Sequence, residues 1–175
     1  EGGGYVFHLA ALVGNTVCEA SPLEASVINR AATANLVAWA SKEHVIIFPM
    51  TNAGYRPAVP GGLANELTQI VPDSVYARTK LEAEETVLNH PNGISLRLAS
   101  VYGVSPEMRD DRPPLINWMV REALARGSLT VSNRDALRDF IHIRNVVNCL
   151  IYAALTHKMH RGKSINIATE SVAKH

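Results

Sequence analysis

Apolar residues in this chain gather in short continuous runs separated by stretches of helical period. Tyr5-Val6-Phe7-His8-Leu9-Ala10-Ala11, Val45-Ile46-Ile47-Phe48, Ile94-Ser95-Leu96-Arg97-Leu98 and Ser164-Ile165-Asn166-Ile167-Ala168 read as strands covered on both faces, the condition of parallel strands. Ser21-Pro22-Leu23-Glu24 has the form of a capping box with proline at the first helical position, and predicts a helix to about Lys42. Ala and Leu occupy most of its circumference, so burial on two sides is expected. Asp73 or Ser74 caps a second helix that continues to about Asn89 and stops before His90-Pro91-Asn92-Gly93. Further helices are predicted from about Pro114 to Arg126 and from about Asn145 to Thr156, with a short strand at Leu129-Thr130-Val131. Residues 56–73, rich in Pro, Gly and Asn, read as a surface loop. Strands alternating with helices at this spacing predict parallel βαβ units: an α/β fold with helices on both faces of one sheet. No repeat or linker divides residues 1–175, although the part beyond about residue 100 is expected to form a smaller lobe over the strand ends.

Composition changes this picture little. The chain has 175 residues, 47% of them apolar and 19% charged, with a net charge of +1, which suits one globular domain with a sizeable core. Basic residues are scattered and nearly balanced by acids, so no nucleic-acid partner is expected. No apolar run has the length of a membrane span, and a cytoplasmic enzyme or binding domain is the expectation. Cys18 and Cys149 have neither metal-ligand spacing nor flanking ligands, and read as small buried apolar residues with no disulfide and no metal.

Chemistry enters at Ser74-Val75-Tyr76-Ala77-Arg78-Thr79-Lys80. Tyr76 and Lys80 stand four residues apart and share one helix face. A phenol beside an ammonium near a helix N-terminus is a device for moving protons, because positive charge favours the phenolate. The same spacing also arises from packing alone, as a half-buried Tyr beside a solvated Lys. Thr51 lies just past the second strand, where ligands bind in open α/β sheets; its hydroxyl either meets a substrate or bonds its own turn. Glu1-Gly2-Gly3-Gly4 precedes a strand instead of following one, so it is not a phosphate-cradling loop. His8 reads as a structural histidine, and Asn29 is the odd polar residue on an apolar helix.

Taken in order, six blocks resemble the extended short-chain dehydrogenase/reductase family, in its NAD(P)-dependent nucleotide-sugar epimerase/dehydratase branch. They are Phe7-His8-Leu9-Ala10-Ala11; Pro22-Leu23-Glu24 with Asn29 and Thr33; Thr51 to Tyr55; Tyr76 to Lys80 with Leu81 and Glu84; Arg97-Leu98 to Tyr102-Gly103; and Arg138-Asp139-Phe140-Ile141-His142 with Asn166-Ile167. The resemblance implies a Rossmann-like doubly wound parallel sheet with a small C-terminal substrate lobe. It implies an enzyme that epimerises or reduces a nucleotide sugar with NAD or NADP. Separately, the helices at 22–42 and 74–89 carry apolar residues on more than one face, enough for a shared helical bundle, so a homodimer is expected. Tyr76 would be the acid/base; Lys80 would hold the nicotinamide ribose and depress the Tyr76 pKa; Thr51 would bond the reacting oxygen. Leu9, Ala10, Ala11, Asn29 and Ala99 would line the cofactor. Ser100 and Arg138 would face the nucleotide diphosphate, with a surface ion pair to Asp135 or Asp139 as the alternative for Arg138.

Departures from the family pattern narrow the reading. Asn52-Ala53 stand where dehydratases carry an Asp-Glu pair, so epimerisation or ketone reduction is favoured over loss of water. Pro49-Met50, Arg56 and Arg144-Asn145 also differ from the usual residues. The family's N-terminal βαβ unit, with its glycine turn for the pyrophosphate, is not found in these 175 residues, and weak dinucleotide binding by this stretch is expected. A non-catalytic Rossmann-like binding module, or a reductase of a non-sugar ketone, are the rival readings.

Overall fold

In the computed structural model the described residues are 3–55, 62–104, 113–130 and 138–169; Arg56, Val131 and Asp135 lie outside them. The sheet is built around β2 (Val45–Thr51), whose Val45, Ile46, Ile47, Phe48 and Met50 are all buried. Alternation along a strand sends these side chains to opposite faces, so β2 needs a layer on each. On one side Ile46, Phe48 and Met50 pack on Ala83 and Val87 of α4 (Val75–Leu88). On the other, Val45 and Ile47 join Ile94 and Leu96 of β3 (Gly93–Leu98) against Val146, Leu150, Ala153 and Ala154 of α6 (Ile143–Leu155).

With β1 (Tyr5–Phe7) and β6 (Lys163–Ile167) these strands form one parallel sheet in the order β1-β2-β3-β6. The register sets Thr51 beside Leu98 and Leu98 beside Ile167, so three strand ends finish at one level. β1 is shorter than the apolar run predicts. After His8 donates its N–H to the Ile47 carbonyl, the Leu9 N–H turns back to the Phe7 carbonyl, and the chain leaves the sheet.

The helical stretch differs from expectation at both ends. An unforeseen helix, α1 (Asn15–Ala20), precedes it. Ser21 makes no side-chain cap, because its N–H closes α1 on the Val17 carbonyl while its own carbonyl accepts from Ala25. α2 (Pro22–Ala25) then passes through a π-helical segment, Ser26–Ala31, into α3 (Ala32–Trp39). Ser74 does cap α4: its Oγ accepts from the Ala77 N–H at 3.1 Å and donates to Asn15 Oδ1 at 3.1 Å, while the Val75 N–H donates to Glu19 Oε1 at 2.8 Å. The first turn of α4 is thereby tied to α1.

Beyond β3, β4 (Ser100–Tyr102) pairs in parallel with β5 (Phe140–His142) as a separate two-stranded sheet, and α5 (Leu115–Arg126) lies between them in sequence. The strand expected at 129–131 is not formed at Leu129 and Thr130; β5 takes the partner position instead. A short α7 (His157–His160) leads to β6. Cys18 is buried and Cys149 only half-buried; both are free. No described helix is long and apolar enough to cross a membrane.

Candidate active site

Three elements end around one cavity of about 660 Å³. β2 brings Pro49, Met50 and Thr51; the loop after β1 brings Leu9, Ala11 and Val13; α4 brings Tyr76 and Lys80. Leu98, Ala99 and Ser100 close it from the β3–β4 junction, and Pro113 and Pro114 from the start of α5. Of the residues expected at a site, Leu9, Ala11, Thr51, Tyr76, Lys80, Ala99 and Ser100 are thus together.

The phenol of Tyr76 is held by opposing influences. Burial pushes its pKa up to about 12, and the neighbouring Cys18 thiol adds to the rise, while a hydrogen bond with the Thr51 side chain pulls the other way. This reverses the expected direction. The Lys80 ammonium lies over the ring of Phe48, 3.8 Å from its centroid, and burial is the largest influence on Tyr76. Thr51 bonds its own turn, its Oγ1 accepting from the Ala53 N–H at 3.1 Å, while it also lines the cavity.

Lys80 is only 4% exposed, and burial lowers its pKa to about 8 although Glu84 one turn along opposes this. Among the described residues no carboxylate forms an ion pair with it. An ammonium carries three donors, and a ring face uses none of them fully, so Lys80 faces the cavity with donors for oxygen acceptors.

Asn29 is buried and does not line the cavity. It holds the cavity's loop instead: the Leu12 N–H donates to Asn29 Oδ1 at 2.7 Å, and Asn29 Nδ2 donates to the Leu12 carbonyl at 3.0 Å and to Thr79 Oγ1 at 3.2 Å. Ala10 is exposed beside the cavity, not in its wall. Arg138 is exposed and also stands outside it; among the described residues it forms no ion pair with Asp139. His8 is structural as expected, with Nε2 2.8 Å from Thr33 Oγ1.

Reading the sequence missed Val13, Gly14, Asn15, Thr16 and Val17, which line the cavity from the turn that opens α1. The available signal was Gly14 followed by two small polar residues shortly after a strand, a pattern that starts helices.

The fold and this site define an α/β protein with a hydroxyl, a phenol and an ammonium gathered at the carboxyl ends of parallel strands. Residues 2–168 match the NAD dependent epimerase/dehydratase family, and the chain belongs to it. Similar solved structures carry the same Rossmann-like fold. MoeE5 in complex with UDP-glucose and NAD is 27% identical with a TM-score of 0.76, over 94% of this chain and 56% of that one. UDP-N-acetylglucosamine 4-epimerase from Methanobrevibacter ruminantium, in complex with UDP-N-acetylmuramic acid, is 26% identical with a TM-score of 0.77, over 94% and 55%. For the fold alone, dTDP-4-dehydrorhamnose reductase from Bacillus anthracis in complex with NADP has a TM-score of 0.79 at 17% identity, over 95% and 56%. The chain therefore spans little more than half the length of these relatives.

Proposed function

We propose that this chain carries the proton-transfer centre of an NAD(P)-dependent enzyme that epimerises or reduces a nucleotide sugar. The observation that supports it most is the meeting of Thr51, Tyr76 and Lys80 in one cavity at the strand ends. The cavity's apolar wall and the unpaired donors of Lys80 fit a nicotinamide riboside. When bound, the nicotinamide supplies hydride exchange with a carbon of the sugar.

The residues of this chain handle the proton. With its pKa about 12, the Tyr76 phenol is protonated at neutral pH and is poised to donate from Oη to the oxygen of a keto sugar. In the opposite direction Oη takes the proton of a sugar hydroxyl, and the Lys80 charge lowers the cost of the phenolate. Thr51 Oγ1 holds Tyr76 and the reacting oxygen in line. Ser100 faces the substrate from the opposite wall, and Arg138, outside the cavity, meets the diphosphate as the nucleotide leaves it. Asn29 keeps the Leu12 loop at the distance the cofactor needs. Asn52, an amide, cannot take up a proton as a carboxylate does, which favours epimerisation or reduction over elimination. Leu23 and Val27, exposed beside α4, supply the face for a homodimer.

The test is Tyr76→Phe in the full-length protein with UDP- and dTDP-sugars and either cofactor. Turnover is expected to fall by roughly 10²–10⁴-fold with the sugar KM little changed. A variant that keeps most of its kcat removes the assignment.

A further inference from the structure

We propose that Phe48 is a positioning residue for Lys80: its ring face holds the ammonium in place against the cavity, with His8 stacked on the same ring as an uncharged backing. The geometry comes from the alternation of β2. Phe48 is 1% exposed and points to the α4 layer, and Lys80 Nζ stands 3.8 Å from its ring centroid. The His8 ring lies 5.7 Å from the same ring at an interplanar angle of 28°, a stacked arrangement.

The hydrogen bonds behind His8 fix the tautomer of its neutral ring. The Thr33 hydroxyl donates to the Asn29 carbonyl at 2.7 Å, so its oxygen accepts from His8 Nε2–H at 2.8 Å. The neutral ring then has no proton on Nδ1. Burial, and secondly the Lys80 charge, lower the His8 pKa and keep the ring neutral at physiological pH. A second cation beside the platform would repel the first; burial and the Lys80 charge disfavour it.

The ordinary partner for a buried ammonium is a carboxylate, and the nearest candidate is engaged elsewhere. Glu84 accepts from Ser95 Oγ at 2.5 Å, from Ser164 Oγ at 3.1 Å and from Arg97 Nη2 at 2.8 Å. The titratable groups around Lys80 are thus His8 from the loop just after β1 and Tyr76 and Glu84 from its own helix, with Cys18 of α1 beyond Tyr76. A ring face stabilises the ammonium without consuming its directional donors, which a carboxylate would do. Lys80 is held in the site yet free to bond a ligand.

This inference rests on the reading of Lys80 as part of the proton-transfer centre, and the experiment separates the two. Phe48 is replaced in the full-length protein by mono-, di- and trifluorophenylalanine, which weaken the ring's negative face at nearly constant volume. The titration of Lys80 is followed by the pH dependence of its acylation with a small reagent, read by peptide mass spectrometry. Its midpoint is expected to fall stepwise, by roughly one pH unit across the series. The alkaline limb of kcat/KM for the cofactor should move down with it. A midpoint unchanged across the series overturns the role of Phe48, whatever Tyr76→Phe does to turnover. Conversely, an active Tyr76→Phe removes the proton-transfer reading and leaves the stepwise titration of Lys80 standing. Phe48→Leu gives a second measure: an increase in cofactor KM of about tenfold is expected, and an unchanged KM also counts against the platform.

Discussion

Lys80 shows how a functional residue can work against the fold that holds it. Its folded pKa of about 8 lies below the ordinary lysine value of 10.5. Between those values the unfolded chain binds a proton that the folded chain lacks, so stability rises with pH across that window. Below about pH 8 the folded state bears the whole cost of the buried charge. Lys80→Met is therefore expected to stabilise the protein at pH 7 by roughly 1–3 kcal/mol, to remove the rise between pH 8 and 10, and to abolish turnover. Calorimetry at several pH values checks it, and a lowered melting temperature at pH 7 would refute it. Tyr76 has the opposite sign: its folded pKa of about 12 lies above the ordinary tyrosine value of 10.0, so its contribution is lost only as pH rises through that range. The pair itself was legible in the sequence from the four-residue spacing. The direction of the Tyr76 shift was not, because burial and the neighbouring Cys18 are facts of tertiary packing.

At the scale of elements, α4 is the part that places the site. Tyr76, Lys80 and Glu84 recur every four residues, so one face carries two cavity residues and an anchor. Glu84 is 1% exposed and joins α4 to β3 through Ser95 and Arg97 and to β6 through Ser164. Arg97 extends the link: its Nη1 donates to Tyr55 Oη at 2.9 Å, which donates to Asn166 Oδ1 at 2.6 Å. Burial disfavours the Arg97 cation, but the hydrogen bonds it donates to Glu84 and Tyr55 and the Glu84 charge hold its pKa above the ordinary value. Removing one partner of such a pair strands the other, so Glu84→Ala is expected to cost roughly 3–5 kcal/mol in urea unfolding. A loss below about 1 kcal/mol would show that the network does not anchor the helix. Elements with strong local signals were legible: the continuous apolar strands, and α4 with Ser74 at its start. Those set by partners were not. α1 has six residues and no capping side chain, and β5 is a strand because β4 lies beside it. A close approach also escaped the pattern: a Cβ on Gly93 would lie 1.8 Å from the Val87 carbonyl oxygen, so β3 starts where only glycine fits against the end of α4.

Across the whole molecule, the distribution of exposed apolar side chains bears on assembly. The second apolar face expected of the 74–89 helix is not exposed: the outward face of α4 offers only polar residues, Arg78 and Glu85, whereas the neighbouring helical stretch exposes Leu23 at 79% and Val27 at 54%. α4 is already sandwiched between this stretch and the sheet, so these two helical pieces form a layer whose outer side is apolar at one end. A second copy related by a two-fold axis would bury Leu23 and Val27 against their equivalents, an isologous contact. Arg30 and Glu82 pair at 3.3 Å at the same layer's surface, both partly exposed, and would form the polar rim of the contact. Light scattering of the full-length protein is expected to give the mass of a dimer. Leu23→Asp with Val27→Asp should give a monomer that keeps its helical circular dichroism, because neither side chain belongs to the core. A wild-type protein that is monomeric at micromolar concentration, or a double variant that stays dimeric, would place any interface elsewhere.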